Sequence, residues 1–301
     1  MQEHLPRVCV VVPNKNGIRH LAYSLPSLFA SDYSNFQVVL VDDRSSEGPG
    51  ELVKEKFPAA QVLYNTAKRG FAATVNIGVC YAIQGGAEFV AVSNNDIKIP
   101  VWLIRSAVDI LSTEKSAGIV GFREVTGDPE AYTTAASPEG KVKWAETKNI
   151  TGCLFMVRTS VFSKVGLFDE DYFMYGEDND FFYRARKAGF TTVAADVPVW
   201  HYGEGTSGSR PLLSTWLGYR NALRFAIKNF GPLGVLRMLG TLLYHGCFPR
   251  ADKKSSDLYL KRIRRFNPLF NLILVAASCA WNLFYLPKTL RQRFFPPGGA
   301  Y

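Results

Sequence analysis

Hydrophobic residues in the first third of the chain come in short β-branched runs separated by stretches of helical period. VCVVVP (8–13), QVVLVDD (37–43), QVLYN (61–65) and FVAVSNND (89–96) are near-continuous apolar runs, the pattern of strands buried on both faces of a parallel sheet. Between them, His20–Ala30, GPGELVKEKF and FAATVNIGVCYAI (71–83) read as helices. In the last of these, Phe71, Val75, Val79 and Ala82 share one face, and Gly85-Gly86 ends the helix. Strands alternating with helices predict an open α/β sheet with right-handed crossovers. Such sheets bind ligands beyond the carboxyl ends of their strands. Here those ends carry Asn14, Asp42-Asp43, Asn65 and Asn94-Asn95-Asp96.

Beyond residue 124 the pattern changes. Residues 124–148 are polar, with Gly127, Pro129, Pro138 and Gly140, and read as a loop or hairpin. TGCLFMV (151–157) reads as a strand. FDEDYFMYGEDNDFFYRARKAGF (168–190) sets six carboxylates among Phe and Tyr rings. Its part from Glu177 to Lys187 reads as a helix, with acids in the first turn, Arg184, Arg186 and Lys187 in the last, and Gly189 just beyond. Asp169 and Glu170 read as surface charges or caps. The rings offer a floor for a sugar, and a carboxylate at a helix start in such a cleft suits a general base. From Pro211 onward Leu, Phe, Trp and Arg dominate. LFNLILVAASCAWNLFYL (269–286) is an apolar run of marginal spanning length between KRIRR and KTLRQR. Asn271, Ser278 and Asn282 line one face of it. A polar stripe with basic flanks fits a helix lying in a membrane interface at least as well as one that spans. The competing reading is a soluble helical subdomain whose bases meet nucleic acid or solvent.

Composition sharpens this division. The chain has 301 residues, 47% hydrophobic and 20% charged, as an ordinary folded protein has. The net charge of +9 is unevenly placed: residues 210–301 hold 15 Lys and Arg against two acids, so residues 1–209 are mildly acidic. An acidic body with a basic tail is expected to meet two kinds of partner. Five cysteines without C-x-x-C spacing point to reduced thiols rather than a zinc site or disulfide framework. The N-terminal MQEHLPRVCVVVP lacks the features of a secretory signal. The first strand is followed by PNKNG, not G-x-G-x-x-G, and G-x-x-x-x-G-K-[ST] is absent, so neither a dehydrogenase nor a P-loop enzyme is expected.

Three positions carry the candidate chemistry. Asp42 closes a strand where a carboxylate can hold a base or a ribose, or simply cap a turn. Asp96 ends SNND, where a hard divalent cation finds an oxygen ligand, or where an Asx turn precedes Pro100. His201, in VPVWHYGEGTSG, follows an apolar strand and leads into a Gly/Ser-rich loop; imidazole beside carboxylates suits Mn²⁺.

Read in order, VCVVVPNKNG, VVLVDDRSSEG, NTAKRGFAATVNIGV, VSNNDIKIP, TGCLFMVRTSVFSKVGLFDEDYFMYGEDNDFFYRARKAGF, WHYGEGTS and YRNALRF resemble the inverting family 2 glycosyltransferases of the GT-A fold, over roughly residues 6–225. Within the family the chain is most similar to transferases that build bacterial surface polysaccharides, such as rhamnosyl- and galactofuranosyltransferases. The resemblance implies an α/β GT-A domain over 1–210, with a nucleotide-binding half (1–100) and an acceptor-binding half (101–210). A helical, membrane-associating region (211–301) follows. It implies a nucleoside-diphosphate sugar donor, a saccharide or lipid-linked acceptor, and Mg²⁺ or Mn²⁺ as cofactor. Asp96 and His201 match the metal positions, although Asn94 and Asn95 stand where many members have acids. Pro13, Asn14, Asp42, Asp43, Arg69, Asn76 and Asn95 fall to the nucleotide. Asp178 matches the general base, with Glu177, Tyr175 and Trp200 at the acceptor. Contact with the cytoplasmic face of the cell membrane is expected through 211–295, and nucleic acid is not an expected partner. Two rival readings remain: a lapsed transferase that binds without turnover, and a nucleic-acid-binding protein using the basic tail.

Overall fold

A computed structural model describes residues 5–128, 140–203, 211–248 and 266–295. The polar stretch 129–139, the Gly/Ser-rich stretch from 204 to 210 and KRIRR (261–265) lie outside the described residues. The chain divides into two compact units. One runs to Phe168 and resumes from Phe181 to Gly203; the other comprises Asp169–Asp180 and the C-terminal helices. The sequence reading put 169–180 inside a 1–210 domain. Its contacts assign it instead to the helical unit, through buried ion pairs described below.

The first unit is the α/β body. Strands β1 (Val8–Asn14), β2 (Phe36–Asp42), β3 (Gln61–Tyr64) and β4 (Phe89–Ser93) fall on the four apolar runs. They pair in parallel in the order β3-β2-β1-β4. Beyond β4 the sheet becomes mixed, continuing through β8 (Leu154–Arg158), β6 (Ala117–Val125), β9 (Thr191–His201) and β5 (Ile97–Lys98), with β7 (Trp144–Glu146) also on β9. β8 runs antiparallel to both β4 and β6, whereas β6 and β9 are parallel.

Helices cover both faces, which is why the strands are apolar on both sides. On one face, α1 (Ile18–Phe29), α2 (Pro49–Lys56) and α4 (Leu103–Thr113) bury Leu21, Leu25, Val53, Leu103 and Leu111 with Val10, Leu40 and Ala91. On the other, α3 (Phe71–Gln84), α5 (Thr159–Val165) and α6 (Glu177–Lys187) bury Val75, Val79, Phe162, Phe181 and Phe182 with Val11, Val41 and Phe155. Gly85 caps α3, as its position predicts. Much of the aromatic stretch is therefore core. Phe168 and Phe181 lie 4.6 Å apart, Phe162 and Phe181 4.9 Å, and Phe155 meets Phe182 edge-on at 4.9 Å. Of the rings of 168–190 expected as a sugar floor, Phe168, Phe181 and Phe182 are fully buried against the sheet.

The second unit packs α7 (Pro211–Asn229), α8 (Pro232–Cys247), α9 (Pro268–Phe284) and α10 (Leu286–Phe294) around Tyr219, Ala222, Leu223, Leu242, Leu274 and Val275. Beside this small apolar core lies an ionic one, in which Asp169, Asp180, Arg224 and Lys228 are all buried.

Candidate active site

Strand order reverses at β1. The chain moves outward from β1 to β2 and β3, then returns to place β4 on the other side. Such a reversal opens a crevice at the carboxyl ends of the strands. Asn14 sits at that point and ties three strand ends together. Its Nδ2 donates to Asp42 Oδ1 at 3.1 Å, and its Oδ1 accepts from Asn95 Nδ2 at 2.6 Å. Gly17 leaves room for this pair, since a Cβ there would lie 2.2 Å from Asn95 Nδ2 and 2.7 Å from Asn14 Oδ1. Asp42 is also a turn residue, accepting from Ser45 N at 2.8 Å and Ser45 Oγ at 2.6 Å. Asp43 fastens the loop after β3, accepting from Arg69 N at 2.7 Å, Gly70 N at 3.1 Å and Asn65 Nδ2 at 2.9 Å.

β5 is only two residues long, yet it builds the next part of the site. It pairs antiparallel with the end of β9, with Ile97 opposite His201. The Tyr202 N–H donates to the Asp96 carbonyl at 3.0 Å. This pairing brings His201 Nε2 to 3.2 Å from Asp96 Oδ1 across 105 residues of sequence. β6 lies beside β9 in parallel, with Glu124 opposite Val199, and Glu124 Oε1 reaches His201 Nδ1 at 2.6 Å. Asn94 Nδ2 is 3.1 Å from His201 Nε2. Burial by itself would depress the His201 pKa. Hydrogen bonds to Asp96 and Glu124 outweigh it, and the pKa is raised to about 9. Burial likewise works to raise the Asp96 carboxyl, but the bond to His201 and the imidazolium charge hold it below its usual range.

This arrangement suits a divalent cation. Adjacent ligands at about 2.1 Å from an octahedral ion are about 3 Å apart, close to the Asp96–His201 separation. Ligand atoms of Glu124, Cys153 and His201 also lie within 4.8 Å of one another. A carboxylate on Nδ1 is the usual second partner of a metal-binding histidine, fixing the tautomer that leaves Nε2 for the ion. An imidazole with carboxylates fits Mn²⁺ better than Mg²⁺, which prefers oxygen throughout. Glu124 was not among the residues expected from sequence. It lies in a polar stretch that read as loop, and only the β6–β9 register places it. Tyr202 was missed too. It is partly exposed beside this cluster, 5.1 Å from the buried His20 ring.

Other expected site residues have different tasks. Trp200 is buried, its Nε1 donating to the Gly127 carbonyl at 3.0 Å and its ring edge-on to Tyr23 at 5.5 Å. Strand alternation sets its side chain on the face of β9 opposite that of His201, with its ring 6.4 Å from that of Tyr202. Asn76 is also buried, with Nδ2 on the Phe168 carbonyl at 2.9 Å and Oδ1 on the Phe168 N–H at 3.0 Å. It anchors the chain ahead of the acidic stretch. Pro13 is buried in β1 opposite Val41, and the Arg69 side chain is exposed in the loop after β3.

In the helical unit, the turn preceding α6 is held from α7. Arg220 Nη2 donates to the Asp171 and Tyr172 carbonyls at 2.9 and 2.6 Å. The Asn221 amide faces the carbonyls of Tyr172, Met174 and Tyr175 at 3.2, 2.8 and 2.6 Å. Phe173 (φ 62°) and Tyr175 (φ 71°) adopt the left-handed backbone that bulky residues seldom take. Asp169 and Asp180 share Lys228 Nζ at 2.9 and 2.8 Å, and Arg224 Nη2 bridges Asp169 and Asp171 at 2.9 Å each. Asp169 is thus a fully buried ion-pair partner, not the surface charge its sequence context implied. Burial favours its neutral form, but Lys228 and Arg224 hold its pKa below the usual carboxylate range. Tyr175 is half-buried within this turn, Glu177 is buried and Asp178 half-buried at the start of α6. Asp178 belongs to the second unit, Asp96 and His201 to the first.

The Glycosyl transferase family 2 profile matches residues 9–166, just over half of the chain. The chain belongs to this family. N-acetylglucosaminyl-diphospho-decaprenol L-rhamnosyltransferase of Mycobacterium tuberculosis (strain H37Rv) is 26% identical, over 64% of this chain and 75% of that protein. Among solved structures, a mannosyltransferase from Pyrobaculum calidifontis in complex with GDP-Man and Mn²⁺ superposes with a TM-score of 0.59 at 19% identity, covering 97% of this chain and 85% of that one. Staphylococcus aureus TarS 1–349 in complex with UDP-GlcNAc gives 0.59 at 16% identity, covering 96% and 89%. At such identities the likeness concerns the fold, which is GT-A.

Proposed function

We propose that this glycosyltransferase transfers a sugar, with inversion, from a nucleoside-diphosphate donor to a hydroxyl of a lipid-linked saccharide. The observation that carries the reading is the Asp96–His201 pair, set 3.2 Å apart beside the crevice of a family 2 domain. Pro13, Asn14, Asp42 and Asp43, with Arg69 and Asn95, line the strand ends where the base and ribose bind. Asp96 and His201 hold a divalent cation, Mn²⁺ by their donor chemistry, with Glu124 behind His201. Bound there, the ion would neutralise charge growing on the departing diphosphate. Asp178 takes the proton from the acceptor hydroxyl on the opposite face of the sugar, which makes the reaction a single displacement with inversion, and Glu177 and Tyr175 orient the acceptor. A lipid-linked acceptor is favoured by the rhamnosyltransferase relative, whose name specifies one, and by the basic, apolar tail. Its cations would bind anionic lipid at about 1 kcal/mol each, placing the enzyme at the cytoplasmic face of the membrane.

General-base help is typically worth about 10²–10⁴-fold. Asp178→Asn should therefore lower kcat by at least about 10²-fold, while the thermal shift given by a nucleotide with Mn²⁺ stays near wild type. Near-normal turnover in this variant would remove the mechanism. A screen of donor sugars by thermal shift, with and without Mn²⁺, identifies the nucleotide.

A further inference from the structure

α9 is built inside out. Its polar residues face inward: Asn271, Ser278 and Asn282 are at most 1% exposed. Asn282 Nδ2 donates to the Arg220 carbonyl of α7 at 3.0 Å and to the Ser278 carbonyl at 2.9 Å, and Ser278 Oγ donates to the Leu274 carbonyl at 2.7 Å. Its apolar side chains point outward, with Leu269 68%, Ile273 55%, Leu283 71% and Phe284 78% exposed. The helix contains no charged residue at all. α10 continues the scheme. Thr289 is buried against Arg224 Nη1 at 2.7 Å, while Leu290, Phe294 and Phe295 are exposed. α8 and the residue that caps it add Leu233, Leu236, Leu243, Tyr244 and Phe248 to the unit's exposed apolar surface. A protein surrounded by water puts its polar stripe outside and its apolar face inside. Here hydrogen bonds and four buried charges share the interior with a small apolar core that includes Leu274 and Val275 of α9, while most of the large Leu and Phe side chains of α9 and α10 lie outside. That order belongs to helices whose surroundings are hydrocarbon, where polar groups must find partners inside the protein.

We infer that the outward faces of α9 and α10 are immersed in the acyl layer of a single anionic membrane leaflet. α9 alone is short for a span: its 17 residues measure about 25 Å against a hydrocarbon core of about 30 Å. Among the described residues no single helix is long and apolar enough to cross, and the α9–α10 pair bends by 63° at its break. Charge selects the occupant. Residues 210–301 carry 15 bases and two acids; Arg220, Arg224 and Lys228 are buried and Lys288 pairs with Asp171, which still leaves a large excess of cations, Arg291 and Arg293 among them exposed on α10. Anionic headgroups complement that charge, whereas a second copy of the same face would repel it. The inference rests on the membrane reading above and goes beyond it. Attraction of the tail to lipid needs only surface charge; immersion needs this apolar face.

The full-length enzyme is mixed with vesicles of phosphatidylcholine and phosphatidylglycerol and assayed by flotation at low and high salt. A Phe284→Trp variant is then probed with lipids brominated along the acyl chain. Immersion predicts flotation that persists at high salt and quenching of the new Trp by acyl bromines. An Ile273→Lys/Leu283→Lys/Phe284→Lys variant should keep its melting temperature in detergent, because these side chains are more than half exposed, yet partition at least about tenfold more weakly. Flotation lost at high salt, without acyl quenching, would leave a peripheral membrane enzyme and overturn immersion alone. No flotation at any salt would overturn immersion and the membrane assignment together, leaving the sugar-transfer reading to its own assay. If the triple variant instead converts a dimer to a monomer and floats normally, the face joins two copies and the inference is wrong.

Discussion

His201 has two imidazole nitrogens and two carboxylates, Asp96 and Glu124, to serve with them. Only the imidazolium donates to both at once, so the metal-free protein prefers it protonated, with a pKa raised to about 9. A group raised in the folded state contributes its stability fully below its unfolded pKa, near 6.5, and loses it as pH climbs through the folded value. Metal-free enzyme should therefore lose on the order of 3 kcal/mol between about pH 6.5 and 9. Chemical denaturation across that range tests this, and His201→Gln should remove most of the slope. Metal binding runs the opposite way. A cation on Nε2 displaces a proton, so Mn²⁺ affinity should rise about tenfold per pH unit until about pH 9 and then level off. Glu124→Gln takes away one of the two stabilising acids. Calorimetric titration with Mn²⁺ should then show the plateau at lower pH and the affinity there reduced by about 10–100-fold. Plateau and affinity unchanged would mean that Glu124 does not orient the histidine.

At the scale of elements, α7 reaches the acidic turn ahead of α6 with four side chains, Arg220, Asn221, Arg224 and Lys228. Breaking one partner of a buried ion pair typically costs about 3–5 kcal/mol, because the charge left behind is uncompensated. Lys228→Ala would leave Asp169 with Arg224 and take the ammonium from Asp180, whose Oδ1 also accepts from the Asn229 amide at 3.0 Å. Denaturation midpoints should fall accordingly, and Lys228→Arg should recover part of the loss. A midpoint like wild type would show that the cluster is hydrated and weakly coupled. Sequence patterning identified β1 to β4, α3 and α6 because each buries a periodic set of side chains. It could not identify the α7 cluster. Nothing in FDEDY distinguishes Asp169 from Glu170 until Arg224 and Lys228, more than fifty positions later, arrive beside one and not the other. Partners across strands were hidden for the same reason. β5 is too short to leave a period, yet its pairing with β9 is what joins Asp96 to His201. Asn76 and Trp200 matched family motifs or looked like sugar contacts, but motif position does not say which way a side chain turns.

On the scale of the whole molecule, an acidic body and a basic tail invite the idea of an enzyme with a detachable anchor. The buried pairs argue against it. Asp169, Asp171 and Asp180 precede Pro211 in sequence, while Arg224, Lys228 and Lys288, which neutralise them, follow it. The carbonyls of Tyr172 and Tyr175 likewise depend on Asn221. A chain ending at residue 210 keeps the acids and loses their cations, so its 169–180 segment cannot hold the two left-handed residues in place. Such a fragment should be cut within 169–180 by low protease concentrations that leave the full-length chain whole, with the cleavage site read by mass spectrometry. It should also lack transfer activity even toward a water-soluble acceptor, for which a membrane anchor is irrelevant. A protease-resistant, active fragment would restore the detachable anchor. Loss of both properties would mean that the polar interior of the helices shapes the turn that leads to Asp178, so that the tail is part of the catalytic machinery.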